Sequence, residues 1–440
     1  MFFMEFILVL LMMILGARYG GVFFGMVGGL GLAILMFFFK LAPANPPIDV
    51  MLIMMSVVLA ASTLQAAGGM QFLIKKAEQL LRKHPSHITF MAPLIAWIFT
   101  FMAGTGNVLY NVLPVISEVA RDAKIRPERP ISISVIASQH AVPSSPISAA
   151  TVAMASLLAP LGVSLFQLLA MVIPSTLIGL AAGAFSVRKM GKELEDDPEY
   201  LERIKTNIMN DISQQEQNLL AEKKGAKLSV FLFIFGAILV VLLGTFSWMR
   251  PDVITASGKI IKVSMTPMIE IVMLVISCVI VMACNVDVNK IISGTVFKAG
   301  MMGVVTVFGL AWMSDTLIAS NLPFIKSVVK DVVADHPGYF ALALFLVSAI
   351  THSQGATVGA LMPLGIALGI PGTTLAAIFP AVCGYFLIPS TGVLLAGVAF
   401  DRTGTTKIGK YAINHSYIRP GLVTTFVAVL AGLTIEKIFF

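Results

Sequence analysis

Charge is what this sequence has least of: 12% of its 440 residues are Asp, Glu, Lys or Arg, about half the share usual in a soluble domain. With 57% apolar residues and a mean hydropathy of +0.91, the chain has too little polar surface to clothe a water-soluble core, which excludes a soluble globular protein. Cysteine is scarce too. Cys278, Cys284 and Cys383 all fall in apolar stretches without metal-ligand spacing, so neither a disulfide framework nor a cysteine metal centre is expected. Basic segments interleaved with aromatics are missing; the net charge of +7 comes from Lys and Arg in loops, where they follow membrane orientation, and no nucleic acid is expected as a partner. No Gly-x-Ser-Gly motif occurs, which leaves an intramembrane serine protease using Ser144 or Ser145 with a His as a remote alternative.

Apolar runs of membrane-spanning length are abundant. About 20 residues at 1.5 Å each match a hydrocarbon core of about 30 Å, and continuous spans are expected near 3–17, 20–41, 49–68, 157–186, 227–247, 265–284, 301–321 and 419–439. The first carries Glu5 where a signal peptide has basic residues, and no small-residue cleavage site follows, so it reads as a retained span.

Two stretches about 250 residues apart echo one another. Gly104-Thr105-Gly106-Asn107-Val108-Leu109-Tyr110-Asn111-Val112-Leu113-Pro114 and Ser353-Gln354-Gly355-Ala356-Thr357-Val358-Gly359-Ala360-Leu361-Met362-Pro363 each place a Gly eight residues before a Pro. Further on, Val142-Pro143-Ser144-Ser145 answers Ile388-Pro389-Ser390-Thr391. Gly, Pro and small hydroxyl residues repeated inside apolar sequence are the pattern of a transporter built from inverted repeats.

Loop charge orients the expected topology. The stretch 188–227 holds eight Lys and Arg beside nine acidic residues and is assigned to the cytoplasm by the positive-inside rule. The basic stretches Lys75-Lys76-Arg82-Lys83 and Arg121-Lys124-Arg126-Arg129 also belong inside, so residues 86–120 must enter from the cytoplasm and return, as a re-entrant hairpin does. The fold expected is an all-α polytopic membrane protein of two inverted-topology repeats, each with a re-entrant hairpin and a broken transmembrane helix. Residues 1–187 form the first (hairpin 86–120, broken helix 131–154), 188–226 the cytoplasmic linker, and 227–440 the second (hairpin 338–370, broken helix 375–399), with both termini periplasmic. Residues 70–83 place Leu73, Ala77, Leu80 and Leu81 on one stripe, reading as a helix on the membrane surface, and 285–299 could do the same. Such arms either join a fixed scaffold to a moving unit or are inert.

Pro143 and Pro146 cannot both sit in regular helix, so the helix is interrupted at Ser138-Gln139-His140-Ala141-Val142-Pro143-Ser144-Ser145-Pro146-Ile147-Ser148. Freed amides with Ser144, Ser145 and Ser148 make a neutral cradle whose half-helix N-terminus suits a carboxylate. Ser390 and Thr391 offer a second cradle, and the hairpin tips add Thr105, Gly106, Asn107, Ser353, Gln354, Gly355 and Thr357. Two facing cradles suit a substrate with an anionic group at each end, such as a C4-dicarboxylate. The plainer reading of each hydroxyl is that it satisfies a backbone carbonyl at a kink.

Charges within apolar segments are few: Glu118, Glu270, Asp315, and Asp401 with Arg402. Each is a functional candidate because intramembrane charge is costly. Asp315 could serve proton or sodium coupling, or simply form an ion pair; Arg402 could hold a carboxylate or anchor a loop with Lys407 and Lys410. His140 and His352 flank the interruptions, where a titrating group could couple transport to pH or simply be a buried, hydrogen-bonded ring. Glycines 16, 20, 21, 25 and 29 signal close helix packing, within a subunit or between copies in a homo-oligomer. No cofactor is expected beyond a coupling Na+ or H+.

The chain resembles the anaerobic C4-dicarboxylate uptake (Dcu) family of bacterial inner-membrane antiporters over essentially its whole length. The most specific residues are Pro46-Pro47-Ile48-Asp49-Val50-Met51-Leu52-Ile53, Gln65-Ala66-Ala67-Gly68-Gly69, Arg126-Pro127-Glu128-Arg129-Pro130, Ile133-Ser134-Val135-Ile136-Ala137-Ser138-Gln139 and Ser145-Pro146-Ile147-Ser148-Ala149-Ala150. The resemblance implies exchange of external fumarate, malate or aspartate for internal succinate. It also implies membership of a wider ion-transporter superfamily with paired hairpins and elevator-like motion, and a membrane sensor kinase as a possible partner through 188–227 or 401–419.

Overall fold

A computed structural model of the chain describes residues 2–19, 22–205, 225–254, 258–335, 337–389, 391–409 and 414–440. Most of them are helical, as a lipid solvent favours, because a helix satisfies its own N–H and C=O groups where no water can. A small ribbon pairs β1 (Asp252–Ile254) antiparallel with β2 (Ile260–Lys262).

Before the linker run α1 (Phe2–Tyr19), α2 (Phe23–Phe37), α3 (Ile48–Ala66), α4 (Gly69–Lys83), α5 (Ile88–Ala103), α6 (Leu113–Asp122), α7 (Glu128–Ala141), α8 (Ala149–Leu158) and α9 (Leu165–Val187); α10 (Pro198–Lys205) lies in it. After it come α11 (Ala226–Thr245), α12 (Met265–Cys284), α13 (Asn289–Ser293), α14 (Thr295–Asp335), α15 (Pro337–Thr351), α16 (Gln354–Ala367), α17 (Gly372–Ala377), α18 (Gly392–Phe400) and α19 (Ile418–Phe439). Among the described residues, seven helical stretches of 19 to 27 residues are long and apolar enough to cross a membrane: α3, the stretch 85–103 that includes α5, α9, most of α11, α12, residues 295–321 of α14, and α19. The protein is a multi-pass membrane protein. Its helices pair closely, α9 along α19, α5 along α7, α2 along α14 and α3 along α12.

Glycine sets the tightest of these contacts. Side chains added at Gly25 or Gly28 of α2 would collide with the backbone of α14 at Val305 and Gly309, so these two helices touch main chain to main chain. Gly25 therefore packs inside the subunit, Gly29 faces open space, and Gly20 and Gly21 lie outside the described residues.

Several boundaries depart from the sequence reading. The span expected at 20–41 is helical only over α2. Pro43, Pro46 and Pro47 keep the following chain extended, and α14 holds it through Thr316 Oγ1, which accepts from the Ala44 amide at 3.1 Å, and Trp312 Nε1, which donates to the Ala44 carbonyl at 2.5 Å. The span expected from 157 begins at Leu165, because a turn through left-handed Gly162 (φ 81°) ends the preceding helix and Ser164 and Gln167 form a capping box. Residues 285–299 make no surface helix. Asn285 turns left-handed (φ 49°), α13 is five residues long, and α14 starts at once. In contrast α4 is amphipathic, with Met70, Ile74, Ala77 and Leu81 buried and Lys76, Gln79 and Lys83 exposed.

Candidate functional site

Two turns of the same construction approach one another. In the first, left-handed Gly104 (φ 67°) closes α5, and extended Thr105 accepts from the Asn107 amide at 3.4 Å to start a 3-10 segment, Gly106–Asn111. In the second, His352 is the left-handed residue (φ 51°), and extended Ser353 accepts from the Ala356 amide at 3.2 Å to start α16. Histidine tolerates this conformation better than most residues. The shared geometry aligns Thr105 with Ser353, one position off the register that matches Gly106 to Gly355.

Between α7 and α8 the chain is interrupted at residues 142–148, where the serines serve the backbone. Ser144 Oγ donates to the His140 carbonyl at 2.9 Å and lies 2.8 Å from Thr176 Oγ1. Ser145 Oγ donates to the Phe101 carbonyl at 2.6 Å. Ser148 Oγ donates to the Val142 carbonyl at 2.6 Å and, as N-cap of α8, accepts from the Thr151 amide at 3.1 Å. These three hydroxyls are thus committed to main-chain carbonyls: those of His140 and Phe101 at the ends of α7 and α5, and that of Val142, which Pro146 leaves without a helical donor. In the second interruption a 3-10 run, Phe379–Phe386, gives way to Thr391, the extended N-cap of α18. Ser390 lies outside the described residues.

Both turns and both interruptions meet at a cavity of about 250 Å³. Three α-helices begin on it: Ala149 and Ala150 open α8, Gln354 and Gly355 open α16, and Gly392 and Val393 open α18. Gly106 and Asn107, opening the 3-10 segment, line it as well. First-turn amides have no acceptor inside their own helix, and each helix start carries about half a positive charge, so the wall is rich in donors. Among the described residues its polar side chains are otherwise neutral, Thr105, Asn107, Ser138, Gln139, Ser353, Gln354, Tyr385 and Thr391, with His352 at the second turn and no Lys, Arg, Asp or Glu.

Two of these groups are unsatisfied. Gln139 is 2% exposed, yet neither Nε2 nor Oε1 has a partner, and the Thr391 hydroxyl has none either. Buried polar atoms left this way are rare and call for an absent ligand or water. Other members are anchored. Ser138 Oγ lies 2.9 Å from Thr100 Oγ1, and Gln354 Nε2 donates to the Gln139 carbonyl at 2.7 Å.

The remaining candidates lie off the cavity. Thr357 Oγ1 donates to the Ser353 carbonyl at 2.8 Å, bracing the turn from behind. His140 is buried. Its Nδ1 lies 3.0 Å from the Ile136 carbonyl, which can only accept, so Nδ1 bears a proton, and Nε2 lies 3.1 Å from Thr425 Oγ1. The ring is bonded at both nitrogens inside the protein. Asp401 organises its own loop, accepting from the amides of Thr403 (3.0 Å) and Thr406 (2.6 Å) and from Thr405 Oγ1 (2.8 Å), and Arg402 follows it there. Asp315 sits on α14, half-buried beside buried Ser314, and Glu118 pairs with Arg82 at 3.1 Å. Among the described residues no group of three or more His, Cys, Asp or Glu could hold a metal ion.

Sequence reasoning missed Tyr385 and the wall residues Ala149, Ala150 and Val393, whose contribution is main chain. It also missed a buried ionic cluster at the foot of α7. Arg126 bonds Glu128 Oε2 at 2.6 Å and pairs with Asp197 of the linker; Ser416 Oγ donates to Glu128 Oε1 at 2.6 Å; Arg129 reaches Glu193 at 2.9 Å. Burial works against the charge on Arg126, but the carboxylates of Glu128 and Asp197 outweigh it and raise the guanidinium pKa above its usual value. The run from Arg126 to Pro130 carried the only signal.

A family model described as "Anaerobic c4-dicarboxylate membrane transporter" matches residues 1–440. The chain belongs to this family. It is 38% identical over 440 residues to the C4-dicarboxylate transporter DcuA of Wolinella succinogenes, covering 99% of each chain. Identity to DcuA of Escherichia coli K12 is 38% over 436 residues, again with 99% of each covered. The anaerobic C4-dicarboxylate transporter DcuB of Escherichia coli O6:H1 is 37% identical over 441 residues, with 98% of each covered. As members of a transporter family, these chains are not enzymes. The fold also resembles a solved structure of the Neisseria gonorrhoeae efflux pump MtrF, with a TM-score of 0.52 at 13% identity over 93% of this chain and 84% of that one.

Proposed function

We propose that this protein carries C4-dicarboxylates across the bacterial inner membrane, exchanging fumarate, malate or aspartate for succinate by alternating access. The observation that carries this reading is the convergence of three helix starts and the unpaired Gln139 amide on one cavity that has no cationic side chain among the described residues. Carboxylates are what main-chain donors at helix starts bind best, and a cavity with such donors on several walls suits a substrate charged at both ends. The turns and interruptions are read as the paired centres of two inverted repeats, 1–187 and 227–440, with the linker cytoplasmic and both termini periplasmic. The matched construction of the two turns supports this.

A second reading is favoured by the uncharged wall. A dianion held without Lys or Arg is stabilised further by a cation travelling with it, which would make the protein a sodium- or proton-coupled importer, with Asp315 the candidate carboxylate. Counterflow in proteoliposomes separates the two. Uptake of labelled fumarate that requires internal succinate and no ion gradient establishes exchange; uptake into empty vesicles driven by a sodium or proton gradient establishes coupled import. No flux of any C4-dicarboxylate overturns both.

A further inference from the structure

We propose that Gln354 selects among four-carbon dicarboxylates, its side-chain carbonyl accepting a hydrogen bond from a donor on the substrate's second carbon; this rests on the dicarboxylate reading above. The orientation of the amide is fixed by chemistry as well as by distance. The Gln139 main-chain oxygen, 2.7 Å away, can only accept, so the atom facing it must be the NH2 group. Cys383 Sγ lies 3.1 Å from the same Nε2, on the buried side. Both donor positions are therefore turned into the protein, and Gln354 cannot offer an N–H to a carboxylate without breaking a buried hydrogen bond.

Its carbonyl is in the opposite situation. Among the described residues none donates to Gln354 Oε1, although the residue is 6% exposed and lines the cavity. An acceptor without a donor is unfavourable beside a carboxylate and favourable beside an ammonium or hydroxyl group. Gln139 differs, because both ends of its amide are unpaired and it can turn either toward a ligand. The wall thus combines main-chain donors for carboxylates with one acceptor held in place. The charge balance points the same way. A 2-amino dicarboxylate brings a net charge of about −1 into a wall without Lys or Arg, where a plain dicarboxylate brings about −2.

The test uses substrates that differ only at the second carbon. Succinate, fumarate, L-malate and L-aspartate are compared as competitors of counterflow in proteoliposomes, first with the wild-type protein. L-Aspartate and L-malate are expected to compete better than succinate and fumarate, L-aspartate by about tenfold or more, as a hydrogen bond from a charged donor implies. In Gln354→Met, which keeps the length of the side chain and removes the acceptor, the aspartate-to-succinate ratio is expected to collapse toward one. Wild-type protein that prefers succinate or fumarate overturns the proposal, and so does a variant that transports with its ratio unchanged. The wild-type ranking needs no variant, so a Gln354→Met protein that fails to insert leaves the test standing. Absence of flux for all four substrates would instead overturn the dicarboxylate reading itself.

Discussion

Gln354 and Gln139 stand 215 positions apart in the chain, yet the side chain of one donates a buried 2.7 Å hydrogen bond to the main chain of the other. The contact ties the first residue of α16 to the last helical turn of α7. It leaves the Gln139 side chain, unlike its backbone, without a partner, so the effects of changing that side chain on stability and on binding should have opposite signs.

Replacing Gln139 with Leu removes two unsatisfied buried atoms, each of which costs about 1–3 kcal/mol. Thermal unfolding in detergent should show stability unchanged or raised, while the apparent KM in counterflow rises by about tenfold or more. A less stable Gln139→Leu protein with normal KM would mean that the amide serves the fold.

Ser144 and Thr391 form a contrasting pair. Ser144→Ala takes a buried hydrogen bond from the His140 carbonyl, while Thr176 keeps its bond to the Val172 carbonyl, and should lower stability by about 1–3 kcal/mol with KM unmoved. Thr391→Val removes a hydroxyl that bonds nothing in the protein; stability should stay within about 0.5 kcal/mol while KM rises. The two readouts exchanged would refute the assignment of either residue.

Gly104 holds a left-handed conformation, and a Cβ there would lie 2.8 Å from the Ile147 carbonyl oxygen. Gly104→Ala should cost about 1–2 kcal/mol in backbone strain before the clash is counted, and it displaces the turn that carries Thr105. Loss of transport by protein still found in the membrane is the expected result. Normal kinetics would show that the turn relaxes without consequence.

Arg126→Met removes the guanidinium that Glu128 and Asp197 share in a buried setting, and breaking such a cluster from one side costs about 3–5 kcal/mol. Much less folded protein should be recovered from membranes. Normal yield and unfolding temperature would show that water replaces the guanidinium.

Asp315→Asn distinguishes the two transport readings. Exchange should continue at the wild-type rate, since Asp315 lies off the cavity. Loss of gradient-driven uptake in the same variant would assign coupling to this carboxylate.

The turns and interruptions were legible because Gly and Pro inside apolar sequence have few other uses, and Gly104, Pro143 and Pro146 each mark a place where regular helix fails. The duty of each hydroxyl was not legible. Ser144, Ser145 and Ser148 are close in sequence to Ser138 and Gln139, and only the path of the chain shows that the first three turn to carbonyls while the other two line the cavity. Ala149, Ala150 and Val393 were invisible for a different reason. Their contribution is a backbone amide, which any non-proline residue supplies. The ionic cluster around Arg126 joins positions 71 and 288 apart, spacings for which sequence pattern offers no period.

The cavity wall is shared between segments that precede the linker and segments that follow it. A substrate lodged there is gripped from both sides of the seam, so occupancy acts as mortar. The loaded carrier should resist heat better than the empty one by a margin that grows with substrate concentration, and the protein is most vulnerable to coming apart between turnovers.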